Sequence, residues 1–150
     1  MTEDMDELQL ITFKIGDEIF TVDIKNVREV VNVKDIIKVP KAPHYVEGVM
    51  NLRGKIITLV NSASILGFGS TVNNKCKVLI YAIDNDKDVG LVVDHVLGVL
   101  RINGKSIEKP VMGVNSYVKG FIKSGDTIMI LLDMDKIIKA LNSVLGGLGV

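Results

Sequence analysis

Short stretches in which apolar and polar residues alternate run through most of the chain. Residues 11–15 and 20–24 both alternate, and a Gly-Asp pair lies between them. A period of two is typical of a half-buried β-strand, so these stretches predict a hairpin. Residues 46–52 and 55–60 predict a second hairpin, which turns at Arg53-Gly54.

Three further segments have patterns of other kinds. Residues 24–33 are rich in β-branched side chains but contain two charged residues, so a helical turn followed by a strand is as compatible with the pattern as a strand alone. Residues 62–66 predict one short helical turn with Ser62 as its cap. Residues 134–145 predict an amphipathic helix, because their apolar side chains recur on one face.

The second half of the chain repeats the first. The matched positions are Val27 with Val96, Val30 with Val99, residues 45–48 with 117–120, and residues 56–61 with 128–133. A repeat of this length is a supersecondary unit that has been copied. The largest polar difference between the copies is Asn51-Leu52-Arg53-Gly54 against residues 123–126. Both copies meet the same packing demands, so packing does not explain this difference.

Each copy contains about five predicted strands, which is typical of a small β-barrel. We therefore predict an all-β fold of two tandem five-stranded barrels, with residues 8–66 in the first and residues 76–145 in the second. Together they form one domain over residues 8–145. The early strands of both copies are so apolar that we expect them to pack between the barrels or to stay partly exposed for partners.

The charge of the chain argues against nucleic acid and anionic membranes as partners. Its 18 basic and 18 acidic residues give a formal net charge of zero, which removes the long-range attraction that such partners need. Aromatic residues make up only 5% of the chain, and they are not interleaved with basic residues as in barrels that bind single-stranded nucleic acid. A nucleic-acid-binding barrel is therefore kept only as the alternative function.

The cysteine content and hydropathy predict a cytoplasmic protein. Cys76 is the only cysteine, so an intramolecular disulfide is impossible, as is usual in a reducing compartment. The acidic start of the chain lacks the basic residues and apolar run of a signal peptide. No segment approaches the roughly 18 uncharged apolar residues that a membrane span needs.

The residue inventory predicts neither an enzyme nor a metal site. Nucleophilic catalysis needs a base beside the nucleophile, and the two histidines, His44 and His95, have no third group in view to complete a triad. Two histidines and one cysteine are too few for a zinc site of the usual spacing. We therefore expect no catalytic residues, no metal and no cofactor.

Residues 47–57 carry the most specific motif, which reads Glu-Gly-Val-Met-Asn-Leu-Arg-Gly-Lys-Ile-Ile. Gly54 completes a tight turn, and Asn51 can bond neighbouring backbone. The segment resembles the CheW family, the coupling proteins of bacterial chemotaxis, whose motif is glycine-valine-x-asparagine-leucine-arginine-glycine. Thr58 and Asn61 depart from the family pattern, which commonly has proline and aspartate there.

The resemblance covers nearly the whole chain, including residues 13–23, 89–94 and 120–133. It implies two SH3- or OB-like five-stranded barrels, with exchange of strands between them as one option. It also implies a non-enzymatic adaptor that couples the cytoplasmic tips of methyl-accepting chemoreceptors to the regulatory domain of the histidine kinase CheA. Such an adaptor reaches the membrane arrays only through its partners and does not insert into the membrane.

The predicted receptor-binding residues come from the resemblance and from the pattern of the repeat. The set is Ile24, Val27, Glu29, Val30, Gly48, Asn51, Arg53, Val96 and Val99. Of these, the resemblance implies Val27, Glu29, Gly48 and Arg53. The valines are expected as apolar anchors of a groove for a helical hairpin, although β-branched residues are as commonly buried in a core. For the kinase we predict a different surface, on the second barrel, with Val78 as the candidate.

Overall fold

The computed structural model describes residues 7–67, 73–83, 87–110 and 117–145, without the side chains of residues 142–145. The chain is mostly β-structure. In chain order its elements are β1 (Glu7–Ile15), β2 (Glu18–Asp23), a 3-10 turn (Ile24–Asn26), β3 (Val27–Asn32), β4 (Val46–Leu52), β5 (Lys55–Asn61), α1 (Ser62–Ile65), β6 (Lys77–Ala82), β7 (Asp88–Val93), β8 (His95–Asn103), a second 3-10 turn (Gly104–Ser106), β9 (Val118–Ser124), β10 (Thr127–Leu132) and α2 (Met134–Leu145).

The alternating stretches form the predicted hairpins, β1 with β2 and β4 with β5. Of the two structures predicted for residues 24–33, the chain adopts the turn followed by a strand. The turn begins at Asp23, whose side-chain oxygen accepts a hydrogen bond from the Lys25 amide at 2.9 Å. This contact satisfies an amide that the short turn leaves without a backbone partner, and it directs the chain into β3.

The predicted cap of α1 was wrong by one residue. Asn61 caps the helix, since its Oδ1 accepts from the Ser64 amide at 3.2 Å. Asp133 does the same at α2, where it accepts from the Lys136 amide at 3.2 Å. The amides of Asn61 and Asp133 also donate to the carbonyls of Tyr45 and Tyr117, both at 2.7 Å. The repeat therefore preserves a polar corner that joins each hairpin to its helix.

The ten strands form two five-stranded sheets, and each sheet takes strands from both halves of the sequence. Sheet I has the order β3-β6-β7-β5-β4, and sheet II has the order β8-β1-β2-β10-β9. The all-β prediction is confirmed. The contiguous halves 8–66 and 76–145, however, do not correspond to the two sheets, because the hairpin β1–β2 belongs to sheet II and the hairpin β6–β7 to sheet I.

Each sheet curls until its two edges approach each other. Beyond β3 the chain crosses to β4, where Ile37 and Val49 exchange two backbone hydrogen bonds of 2.9 and 2.8 Å. In sheet II, Glu108 and Phe121 exchange the equivalent pair at 2.9 and 2.8 Å. Among the described residues, this single bridge is the only pairing that joins the edges of either sheet. The two edges of each sheet are therefore linked at one point and not along a whole strand.

Three apolar cores result from this arrangement, because successive side chains of a strand point to opposite faces. Leu79 and Tyr81 of β6 face a large core that lies between the sheets and includes α2. Val78 and Ile80 of the same strand face a second core, inside sheet I. A third core, which includes Leu10, lies inside sheet II.

Candidate functional site

Arg53 lies in the tight turn between β4 and β5, at one edge of sheet I. Its backbone has the left-handed φ of +51° and Gly54 follows with +86°, as a two-residue hairpin turn requires. The Asn51 Oδ1 accepts from the Gly54 amide at 2.8 Å, which fixes the turn. The Arg53 guanidinium donates through Nη2 to the Glu29 carboxylate on β3. Since β3 is the other edge of sheet I, this ion pair spans the open side of the curled sheet.

A second ionic group lies beside this pair. Asp88, at the start of β7, accepts from the Arg28 Nε at 2.8 Å and from the Lys55 Nζ at 3.3 Å. The Asp88 side chain is only 6% exposed, whereas both cationic side chains are about half exposed. We refer to Arg28, Glu29, Arg53, Lys55 and Asp88 as the charged cluster.

The strand registers show that the charged cluster exists in only one sheet. The matching residue pairs are Val27–Tyr81 and Tyr81–Val89 in sheet I, and Val96–Phe13 and Phe13–Phe20 in sheet II. This alignment of the strands, together with that of the two hairpin turns, gives every member of the charged cluster a matching position in sheet II. Arg28 matches Leu97, Glu29 matches Gly98, Arg53 matches Gly125, Lys55 matches Thr127 and Asp88 matches Ile19. All five are uncharged, so the fold itself does not require the ion pairs.

The predicted valine anchors are only partly accessible. A β-bulge at the start of β3 places Val27 opposite Tyr81 and Val30 opposite Leu79, so both valines share one face of sheet I. Val30 is 41% exposed, whereas Val27 is half-buried against the core between the sheets, as is Ile24. In sheet II, Val99 is 59% exposed and Val96 is half-buried against the same core.

Glu29 lies on the opposite face from these valines, because it pairs with Ile80. The cluster and the valines therefore occupy different faces of β3, which the sequence pattern alone did not predict. The exposed members of the predicted receptor set are Val30, Asn51, Arg53 and Val99, and Glu29 is partly exposed.

Two of the predicted residues have structural roles in the fold. Gly48 is buried at a β-bulge with a φ of +142°, and a Cβ there would collide with the Ile37 carbonyl oxygen where the chain crosses over β4. A side chain at position 48 would therefore collide with the protein's own backbone and would not project into a groove for a partner. Val78 is fully buried inside sheet I. Its prediction as a direct kinase contact was therefore wrong, because the side chain faces a packed core and lies outside sheet II.

One cavity of about 300 Å³ lies away from the cluster, between the first 3-10 turn and the start of α2. Tyr81 lies in its wall, where burial raises the pKa of the phenol, and a hydrogen bond from Asn26 opposes that rise. The described residues contain no group of three or more histidine, cysteine, aspartate or glutamate side chains arranged to hold a metal ion. No helix in the described ranges is long and apolar enough to span a membrane.

The comparisons with known proteins agree with this architecture. The model of the CheW-like domain matches residues 9–142. The chain belongs to the CheW-like domain family. It is 40% identical to "Chemotaxis protein CheW" of Thermotoga maritima over 93% of both chains, and 29% identical to the protein of that name in Treponema pallidum, over 88% of this chain and 82% of the relative. Its fold is similar to that of the scaffolding protein TtCheW from Thermoanaerobacter tengcongensis, with a TM-score of 0.75, 32% identity and 83% coverage of both chains.

Sequence reasoning found two members of the charged cluster in this CheW-like domain, Glu29 and Arg53, and missed the other three. The contrasts of Arg28 with Leu97 and of Lys55 with Thr127 are visible in an alignment of the two copies. Asp88 is different, because its matching position is Ile19 and the number of residues between the two strands differs: β6 ends at Ala82 and β7 begins at Asp88, whereas β1 ends at Ile15 and β2 begins at Glu18. Only the strand register reveals that match.

Proposed function

We propose that this CheW-like chain is a non-enzymatic adaptor that couples membrane chemoreceptors to the histidine kinase CheA in bacterial chemotaxis. Relatives that carry the name chemotaxis protein CheW, and a structural neighbour described as a scaffolding protein, support this role. An adaptor must hold two partners at once, which requires two surfaces of different chemistry. The observation that carries the proposal is that duplicated sheets present a charged cluster on one side and uncharged residues at the equivalent positions on the other.

The receptor surface is proposed to include Glu29 and Arg53 with the exposed part of the valine face. The Arg53 side chain is 66% exposed even though it contacts Glu29, so its planar fork remains accessible to a partner. Val30 and Val99 add exposed apolar area at the edges of the two sheets. Asn51 contributes indirectly, through the turn that it stabilises.

The kinase surface is proposed to lie on sheet II, as the competition between two partners for one surface would prevent a bridge. Ile128, at the start of β10, takes the place of Val78 as the candidate contact. Its side chain is 55% exposed, and an exposed β-branched side chain suits an apolar contact with another β-structure.

Binding measurements with each partner alone test the proposal. A chemoreceptor cytoplasmic fragment and the regulatory domain of the kinase are each titrated against the full chain, with a single-stranded oligonucleotide at low salt as the competing possibility. We expect both proteins to bind and the oligonucleotide not to bind. Binding of the oligonucleotide alone would replace the adaptor role with that of a nucleic-acid-binding barrel.

A further inference from the structure

Asp88 is the least exposed member of the charged cluster, and it contacts two cations at once. Its carboxylate accepts from the Arg28 Nε at 2.8 Å and from the Lys55 Nζ at 3.3 Å. One carboxylate thus contacts side chains from β3, which also carries Glu29, and from β5, which follows the turn of Arg53. Counting that pair, the cluster holds three cations and two carboxylates, so it has an excess positive charge.

We propose that Asp88 is a positioning residue of the receptor surface: it holds Arg28 and Lys55 in place, and these two cations bind a carboxylate on the receptor segment. The inference rests on the proposed receptor function. Guanidinium and ammonium groups each carry several N–H donors, and the two side chains are about half exposed. A partner carboxylate can therefore accept charge-assisted hydrogen bonds from both cations.

The two copies of the repeat separate this role from a purely structural one. Sheet II has Ile19 at the position of Asp88, Leu97 at that of Arg28 and Thr127 at that of Lys55. Sheet II nevertheless forms the same curled arrangement of five strands. A five-stranded sheet of this order therefore forms with uncharged residues at these positions, and the strand order alone does not explain why sheet I has an ionic group there.

Replacing Asp88 by asparagine distinguishes positioning from net charge. Asp88→Asn keeps the shape of the side chain and makes the surface more positive by one charge. If net charge alone attracted an acidic partner, the variant would bind more tightly. If Asp88 positions the cations, the variant binds more weakly, because Arg28 and Lys55 must then be ordered at the moment of binding.

The experiment titrates a chemoreceptor cytoplasmic fragment against the full chain and its variants at several salt concentrations. Arg28→Gln, Lys55→Gln and Asp88→Asn are each expected to weaken binding by about threefold to fivefold, the size of a surface ionic contact. The two glutamine variants should also make binding less dependent on salt, whereas Asp88→Asn should not. Lys123→Gln is the matched control, since Lys123 is an exposed lysine of sheet II that pairs with Glu108 at 3.6 Å, and it should bind as the unmodified chain does.

Asp88→Glu is the control for a folding defect, because it keeps the negative charge. It should bind the receptor fragment more tightly than Asp88→Asn does, and both variants should unfold cooperatively. The proposal is overturned if Asp88→Asn binds equally or more tightly, if the two glutamine variants bind normally, or if Lys123→Gln weakens binding by the same factor. A complete lack of binding by the unmodified chain would overturn the receptor function itself and this subsite with it, an outcome distinct from the other three.

Discussion

At the scale of single residues, Arg53 combines an unfavourable backbone with an exposed side chain. A non-glycine residue at a φ of +51° costs about 1–3 kcal/mol, and its surface ion pair with Glu29 contributes at most about 1 kcal/mol. The equivalent residue of sheet II is Gly125, which adopts a φ of +62° without this cost. Stability therefore does not account for an arginine at this position, whereas the receptor contact proposed above does.

Arg53→Gly should separate binding from folding. Glycine relieves the left-handed strain but increases the entropy of the unfolded chain, so we expect a free energy of unfolding within about 1 kcal/mol of the unmodified protein. Affinity for the receptor fragment should fall about tenfold, as for a residue that contributes strongly to an interface. Lys41→Gly is the control, because Lys41 is exposed and also has a positive φ, of +61°. Equal binding by the two variants would contradict the role of Arg53.

Tyr81 gives the stability of the fold a dependence on alkaline pH. Burial raises the pKa of its phenol above the usual value near 10, so the group stays neutral in the folded chain at a pH where it ionises in the unfolded chain. The unfolded state then binds fewer protons, and stability is lost as pH rises above about 10.

Tyr81→Phe should therefore flatten the decrease in the free energy of unfolding above about pH 10. At neutral pH it should cost at most about 1 kcal/mol, since the lost contact is one hydrogen bond from an exposed asparagine. Denaturant unfolding at a series of pH values measures both effects. Tyr45→Phe keeps Tyr81 and should keep the decrease; an unchanged decrease in Tyr81→Phe would refute the assignment.

At the scale of elements, the segment that crosses each sheet determines where glycine is needed. Ile37 crosses β4 beside Gly48, and Glu108 crosses β9 beside Gly120. A Cβ at either glycine would meet backbone of the crossing segment, so both copies of the repeat retain glycine there. The single bridge that closes each sheet depends on this close approach.

Gly48→Ala is expected to destabilise the protein by about 2–4 kcal/mol, through collision with the Ile37 carbonyl as well as backbone strain. Gly98→Ala isolates the strain, because Gly98 has a similar φ of +148° but open space around its Cβ position. The difference between the two free energies of unfolding measures the collision. Were Gly98→Ala equally destabilising, the crossing segment would not be the reason for Gly48.

The hairpins, the helix at residues 134–145 and the repeat followed from the sequence because each rests on local patterns. The cap at Asn61 was displaced by one residue because Ser62, which looked like the cap, instead donates its buried hydroxyl to the Val92 carbonyl of a distant strand. The burial of Val78 could not be predicted from the sequence, because alternation in an apolar strand does not distinguish two buried faces from one. The cluster at Asp88 required the strand register, which brings together residues about 60 positions apart.

At the scale of the whole molecule, the exchange of hairpins makes the two halves of the sequence interdependent. Sheet I lacks β6 and β7 without the second half, and sheet II lacks β1 and β2 without the first. The shared core between the sheets also draws residues from both halves, including Phe13 and Leu91. Neither half can bury its apolar faces alone.

Separately produced halves, 1–67 and 73–150, should therefore each fail to show cooperative unfolding, and mixing them should restore it. Circular dichroism and thermal unfolding of the single fragments and of the equimolar mixture measure this. A first half that unfolds cooperatively by itself would contradict the exchanged arrangement.

The proposed adaptor function requires one molecule to hold a receptor and the kinase together on separate surfaces. The most direct measurement is a titration of the receptor fragment into the chain already saturated with the kinase regulatory domain, read by analytical ultracentrifugation. We predict a ternary complex in which the kinase domain remains bound and the receptor affinity stays within about threefold of its value without kinase, as for non-overlapping surfaces. Displacement of the kinase domain by the receptor fragment would contradict the account.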